Sequence, residues 1–131
     1  DLHLSIRRQR QMCIRDRRRS WEFIAGTAPH RAEQNPNDLA QRELREETGY
    51  RAATVTKVGC IDVAPGFVDQ VQHVFLMRDL TPGSPEREDT EADIVCRWWP
   101  LPKLKKSISA GLINDAQTLA AWSLVQLHVE F

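Results

Sequence analysis

The sequence predicts an α/β fold, because short β-rich segments interleave with well-capped amphipathic helices along a chain of 131 residues, one domain in length. Two further observations support a packed domain. The composition is 41% hydrophobic and 27% charged, which disfavours a disordered or fibrous chain. No apolar run approaches the roughly 18 residues of a membrane helix, so a membrane partner is not expected. Cys13, Cys60 and Cys96 stand at wide, odd spacing that makes neither a disulfide framework nor a zinc pattern, and a reducing cytoplasm is the expected compartment. The formal net charge of zero argues against a nucleic-acid partner bound by bulk electrostatics.

The charge is nevertheless uneven. Residues 1–19 hold seven arginines against Asp1 and Asp16. A basic arm or a transit peptide would have this composition. The run from Arg7 to Asp16, however, is an in-frame translation of a transposase sequencing adapter, CGT CGG CAG CGT CAG ATG TGT ATA AGA GAC. Residues 1–17 are therefore expected to be a non-native, adapter-derived segment, with the native domain at 18–131. That remainder has thirteen basic and sixteen acidic residues, a net charge of −3. Its N-terminal strands are expected to be missing. The arginine-rich segment lacks a sustained apolar period and is not expected to replace them, leaving an open sheet edge and an inactive or poorly soluble chain.

The elements follow in order. Residues 21–26 read as a strand ending at Gly26, and 27–34 as a polar loop. Asn35 can cap a helix, Pro36 fits its first position and Asp38 stands where a capping box wants an acid, so a helix is expected over 36–48. Gly49 supplies the left-handed residue that stops it. Residues 54–63 are β-rich, with small positions at Gly59 and Cys60, 64–67 form a turn, and 71–80 alternate as a second strand. A polar acidic loop covers 81–92 and a strand 93–101. Pro102 opens a short basic helix ending at Gly111. Asn114 is expected to cap a last helix to about His128, with Ala116, Leu119, Ala120, Val125 and Leu127 as core contacts. Cys60 and Cys96 are expected to be small buried hydrophobes. His73 reads as an ordinary core or surface histidine, and at least one of Trp98 and Trp99 as core.

The chemistry concentrates in Arg42-Glu43-Leu44-Arg45-Glu46-Glu47-Thr48-Gly49-Tyr50. Glu43, Glu46 and Glu47 stand at i, i+3 and i+4 and share one helix face. Like charges at that spacing cost a few tenths of a kcal/mol per pair, roughly, and a divalent cation would relieve the repulsion. Carboxylate-led oxygen sites suit Mg²⁺, which retains waters and accepts phosphate oxygens. Arg42 is four residues before Glu46 and can orient it. A solvated, salt-bridged helix would explain the same glutamates without a metal.

The segment resembles the box of the Nudix hydrolases, G-x5-E-x7-R-E-U-x-E-E-x-G-U with U a bulky apolar residue. Arg42, Glu43, Leu44, Glu46, Glu47, Gly49 and Tyr50 match it, and Gly26 matches the opening glycine. The loop between Gly26 and Arg42 is two residues longer than the pattern. Glu33 is the nearest acid to the first box glutamate, while counting back from Arg42 reaches Gln34. The strand 21–26, the turn at Pro65-Gly66-Phe67, the acidic loop and the tail 111–119 resemble the ADP-ribose pyrophosphatases of that family.

The resemblance implies an α/β/α sandwich with a mixed sheet, here incomplete, spanning the C-terminal portion of a Nudix domain. It implies Mg²⁺-dependent hydrolysis (Mn²⁺ as a substitute) of a nucleoside diphosphate linked to X, giving AMP and ribose 5-phosphate from ADP-ribose. Glu43 and Glu47 would hold metal, helped by Glu46 and the Ala25 carbonyl. An acid of the loop, Glu91 for preference among Glu86, Glu88, Asp89, Glu91 and Asp93, would take the proton from water. Asp69 and Gln70, after the Pro-Gly turn, would contact substrate. The partner would be a nucleoside diphosphate sugar, and the parent protein a homodimer. A sugar nucleotide or nucleoside triphosphate as substrate, or a binding module without catalysis, remain the alternatives.

Overall fold

A computed structural model describes residues 3–10, 19–28, 35–87 and 94–129. In chain order the elements are β1 (His3–Arg10), β2 (Arg19–Phe23), α1 (Pro36–Thr48), β3 (Arg51–Asp62), β4 (Val71–Thr81), β5 (Val95–Pro100), α2 (Leu101–Ser109) and α3 (Ala116–His128). The strands form a three-stranded sheet in the order β2-β1-β5 and a two-stranded sheet of β3 and β4. The α/β class holds, and every pairing among the described residues is antiparallel.

β1 overturns one expectation. The arginine-rich segment was not expected to act as a strand, yet it occupies the middle of its sheet, with Ile6 opposite Phe23 on one side and Leu4 opposite Trp99 on the other. The physical reason lies in the main chain. A ladder needs N–H and C=O groups in register, and a proline-free stretch between two strand edges supplies them whatever its side chains.

α1 follows its local signals. Asn35 is the N-cap and its side chain accepts from the Asn37 N–H at 2.9 Å, Pro36 opens the first turn, and Gly49 closes the helix at φ 79°. Left-handed backbone costs an L-residue about 1–2 kcal/mol and glycine almost nothing. A register shift between Lys57 and Gly59 marks a β-bulge in β3, at the small positions noted in the sequence. It turns Val58 into the core and leaves Cys60 on the solvent face, where its Sγ lies 3.4 Å from His73 Nδ1. Cys60 is thus exposed and Cys96 half-buried, not core as expected.

The core joins both sheets to α2 and α3. Val58, Val74, Leu76, Trp99, Leu104, Ile113, Ala121, Trp122 and Val125 are buried together, with Trp21, Phe23, Leu119 and Leu124 packed against them. Trp99 is 2% exposed; its ring lies 5.0 Å from that of Trp21, with the Lys103 ammonium 4.6 Å from its centroid. Trp98 instead meets the Tyr50 ring edge-on at 4.9 Å. α3 is capped by Asp115, whose carboxylate accepts from the Thr118 N–H at 2.8 Å, one residue later than the expected Asn114. The buried face also differs from the expected one. Thr118, Ala121, Trp122 and Val125 are buried, whereas Ala116 is exposed and Leu127 is 79% exposed.

Candidate active site on the glutamate helix

α1 presents its glutamates on the side packed against the rest of the molecule. Glu43 and Glu47 are buried, Glu47 with no exposed surface at all, and Glu46 is half-buried. Arg42 stands beside the set, its Nε 3.6 Å from Glu46 Oε1 and its Nη2 3.8 Å from Glu43 Oε1. Gly26 lies directly against Glu43, so closely that a Cβ there would overlap the carboxylate. The strand ends at Phe23, earlier than expected, and Ala25 lies in the chain that leaves it. Ala25 also lines a cavity of about 50 Å³ with Glu22, Gln72, Asp115 and Thr118.

The C-terminal turn of α1 is tied to the loop after β4. The Glu86 N–H donates to the Glu46 carbonyl at 2.9 Å, and Arg87 donates from Nε and Nη2 to the Glu47 carbonyl at 3.1 and 3.0 Å. Arg45 Nε lies 3.5 Å from Glu86 Oε2, and the backbones of Gly49 and Gly83 approach too closely for a Cβ on Gly49. A helix leaves its last carbonyls without internal partners, and charged donors there are favourable. No sequence signal located Arg87 or Gly83. The need of a helix end for cationic donors was foreseeable, but the loop residue that meets it was not.

Asp69 and Gln70 lie elsewhere. With Asp62 and residues 65–68 they line an open cleft of about 450 Å³ at the tip of the β3–β4 hairpin, and no residue of α1 contributes to its walls. The Gln70 carbonyl accepts from the Val63 N–H at 3.1 Å, closing the tip. Glu91, Glu88, Asp89 and Asp93, and likewise Glu33 and Gln34, lie outside the described residues.

No group of three histidine, cysteine, aspartate or glutamate side chains converges as a ready metal centre among the described residues. The donor chemistry nevertheless fits a divalent cation. Glu43 and Glu47 are hard oxygen donors one helical turn apart, both buried, and the glycine at 26 leaves the Glu43 carboxylate the space that a side chain would take.

An α/β fold that carries these carboxylates on one capped helix, with a glycine cradle against the first, defines the class: the chain belongs to the Nudix family, and the NUDIX domain matches residues 4–121. It is 36% identical over 104 residues to the ADP-ribose pyrophosphatase of Mycobacterium tuberculosis, covering 79% of this chain and 50% of that protein. To the ADP-ribose pyrophosphatase of Bacillus subtilis it is 36% identical over 95 residues, covering 72% of this chain and 51% of that protein. A solved ADP compounds hydrolase shares the fold, with a TM-score of 0.78 at 24% identity over 95% of this chain and 64% of that one. The chain spans about half the length of the curated relatives it matches. No helix among the described residues is long and apolar enough to cross a membrane.

Proposed function

We propose that this chain supplies the catalytic half of a Nudix pyrophosphatase that hydrolyses a nucleoside diphosphate linked to X, with ADP-ribose as substrate and AMP and ribose 5-phosphate as products. One observation carries the reading: Glu43, Glu46 and Glu47 share the buried face of a helix pinned at its end, in a chain 36% identical to proteins named ADP-ribose pyrophosphatases. Divalent metals serve the family in general, and Mg²⁺ is the ion we assign here, with Mn²⁺ as a substitute. Glu43 and Glu47 would hold it, with Glu46 and the Ala25 carbonyl assisting. Such a metal, when bound, would supply charge to offset the diphosphate and would favour ionisation of water.

The chain's own residues have separate tasks. Arg42 orients Glu46 through their ion pair. Gly26 keeps the Glu43 carboxylate unobstructed. Glu91 is our choice for the base that takes the proton. Asp69 and Gln70 would hydrogen-bond the substrate at the hairpin tip. We assign residues 18–131 to the native domain and 1–17 to the adapter, and we assign the parent protein to the cytoplasm as a homodimer.

The test is a substrate screen of the parent protein with ADP-ribose, a sugar nucleotide, a nucleoside triphosphate and NADH, each with Mg²⁺. ADP-ribose should give the highest kcat/KM. A triphosphate preference would move the protein to another Nudix branch, and no turnover of any of the four would favour a binding module. A second nucleotide base deserves inclusion, because the chain is also 32% identical to a CMP-5'-(N-acetyl-N-hydroxy-3-aminopropyl)phosphonate hydrolase of Streptomyces rubellomurinus.

A further inference from the structure

We propose that Arg87 is a positioning residue for the glutamate helix: its guanidinium, held on the Glu47 carbonyl, fixes the turn from which Glu43 and Glu47 offer their carboxylates to a divalent cation. The inference rests on the metal-holding reading of those glutamates.

The argument starts from the end of α1. Helix ends fray, because their last carbonyls lack internal partners. Glu47 is the penultimate residue of α1, so the group that matters most stands where the helix is weakest. Glu43, one turn earlier, is braced by Gly26 and Arg42. If the final turn loosens, Glu47 shifts relative to Glu43, and two carboxylates that must share one small cation lose their spacing.

Three of the terminal carbonyls have named partners. Arg45 accepts from the Gly49 N–H at 2.8 Å, which is the helix closing on itself. Glu46 and Glu47 accept from Glu86 and Arg87, about forty residues further along the chain. Arg87 brings two donors to one oxygen, and its positive charge sits at the negative end of the helix dipole. A lysine would keep the charge and lose the fork.

The test uses Arg87→Met and Arg87→Lys in the 131-residue chain, with Mn²⁺ alone as the probe. Mn²⁺ binding is read by electron paramagnetic resonance, and the amides of residues 46–49 and 86 by hydrogen exchange. Arg87→Met should weaken Mn²⁺ binding at least tenfold and speed exchange at those amides at least tenfold, while Val74 and Leu76 keep their protection. Arg87→Lys should recover part of the affinity. Mn²⁺ affinity within twofold of the starting chain, with exchange accelerated, would reduce Arg87 to a stabilising contact and overturn the proposal. Unchanged exchange would show that the contact holds nothing, with the same consequence. If Arg87→Met does not fold, the lysine variant decides by the same two readings. Glu47→Gln is measured in parallel. Equal Mn²⁺ binding by that variant and the starting chain would overturn the metal reading itself, a result distinct from any that Arg87 variants produce.

Discussion

The C-terminal end of α1 and the tip of the β3–β4 hairpin are two ways of presenting polar groups. At the helix end the carboxylates are buried, the carbonyls are bonded from a distant loop, and two glycines bring main chains into contact. At the hairpin tip Asp69 and Gln70 are exposed, Phe67 is 93% exposed, and the cleft is open. Buried charge is expensive to place and is retained where its position matters. Exposed polar groups are cheap and adaptable. On the proposed reading, chemistry falls to the helix end and substrate reading to the tip, and substitutions can break that division.

The largest effect should come from Glu47→Gln. It keeps the shape and removes the charge of a fully buried side chain. In the parent protein, ADP-ribose turnover should be abolished, while the melting temperature stays unchanged or rises, because like-charge repulsion along α1 is relieved. A Glu47→Gln parent protein with wild-type turnover would remove the helix end from the chemistry.

Gly49→Ala comes next and acts on stability. The position holds φ 79°, which costs an L-residue about 1–2 kcal/mol, and a Cβ would overlap the Gly83 backbone, which cannot swing aside as a side chain could. A fall in melting temperature on the order of 10 °C is expected. A shift of only a degree or two in calorimetry would show that the Gly49–Gly83 approach is not a constraint on the fold.

Gly26→Ala should separate activity from stability. Its Cβ would enter the space of the Glu43 carboxylate, a side-chain end that can move. The fold should survive with little change in melting temperature, while metal affinity falls by roughly tenfold, as for other changes that misorient a ligand. Isothermal titration with Mn²⁺ checks this, and unaltered affinity would mean that Glu43 does not need its present orientation.

Legibility in the sequence followed locality. Asn35, Pro36, Gly49 and the i, i+3, i+4 glutamates are signals read within one helix, and α1 appears over 36–48 as expected. The cap of α3 lies one residue past the expected Asn114, because Asn114 and Asp115 are both good caps and the local sequence does not select between them. β1 was missed altogether. Nothing in its arginines announces a strand, and its place is set by the two edges it joins, Phe23 on one side and Trp99 on the other. Arg87 was missed for the same reason, since its partner is forty residues away. Glu43, Glu46 and Glu47 were readable as a set. Their separation from the cleft of Asp69 and Gln70 was not, because it depends on how β3 and β4 pair.

The smallest effect is expected at the hairpin tip, and it tests the other half of the comparison. Asp69→Ala and Gln70→Ala alter exposed side chains, so stability should change by no more than about 0.5 kcal/mol. If these groups hydrogen-bond the substrate in both ground and transition states, each loss should cost about 0.5–1.5 kcal/mol of binding. That corresponds to a rise in KM of roughly two- to tenfold with kcat unchanged, the signature of uniform binding. Phe67→Ser, at the same tip, provides the control: its ring is already in water, so the melting temperature should not move. Steady-state kinetics of the parent protein with ADP-ribose separate the outcomes. A fall in kcat at constant KM would place the tip in the chemistry and dissolve the division between the two regions. No change in either constant would show that the cleft does not read the substrate, leaving the reaction to the helix end and the loop fastened to it.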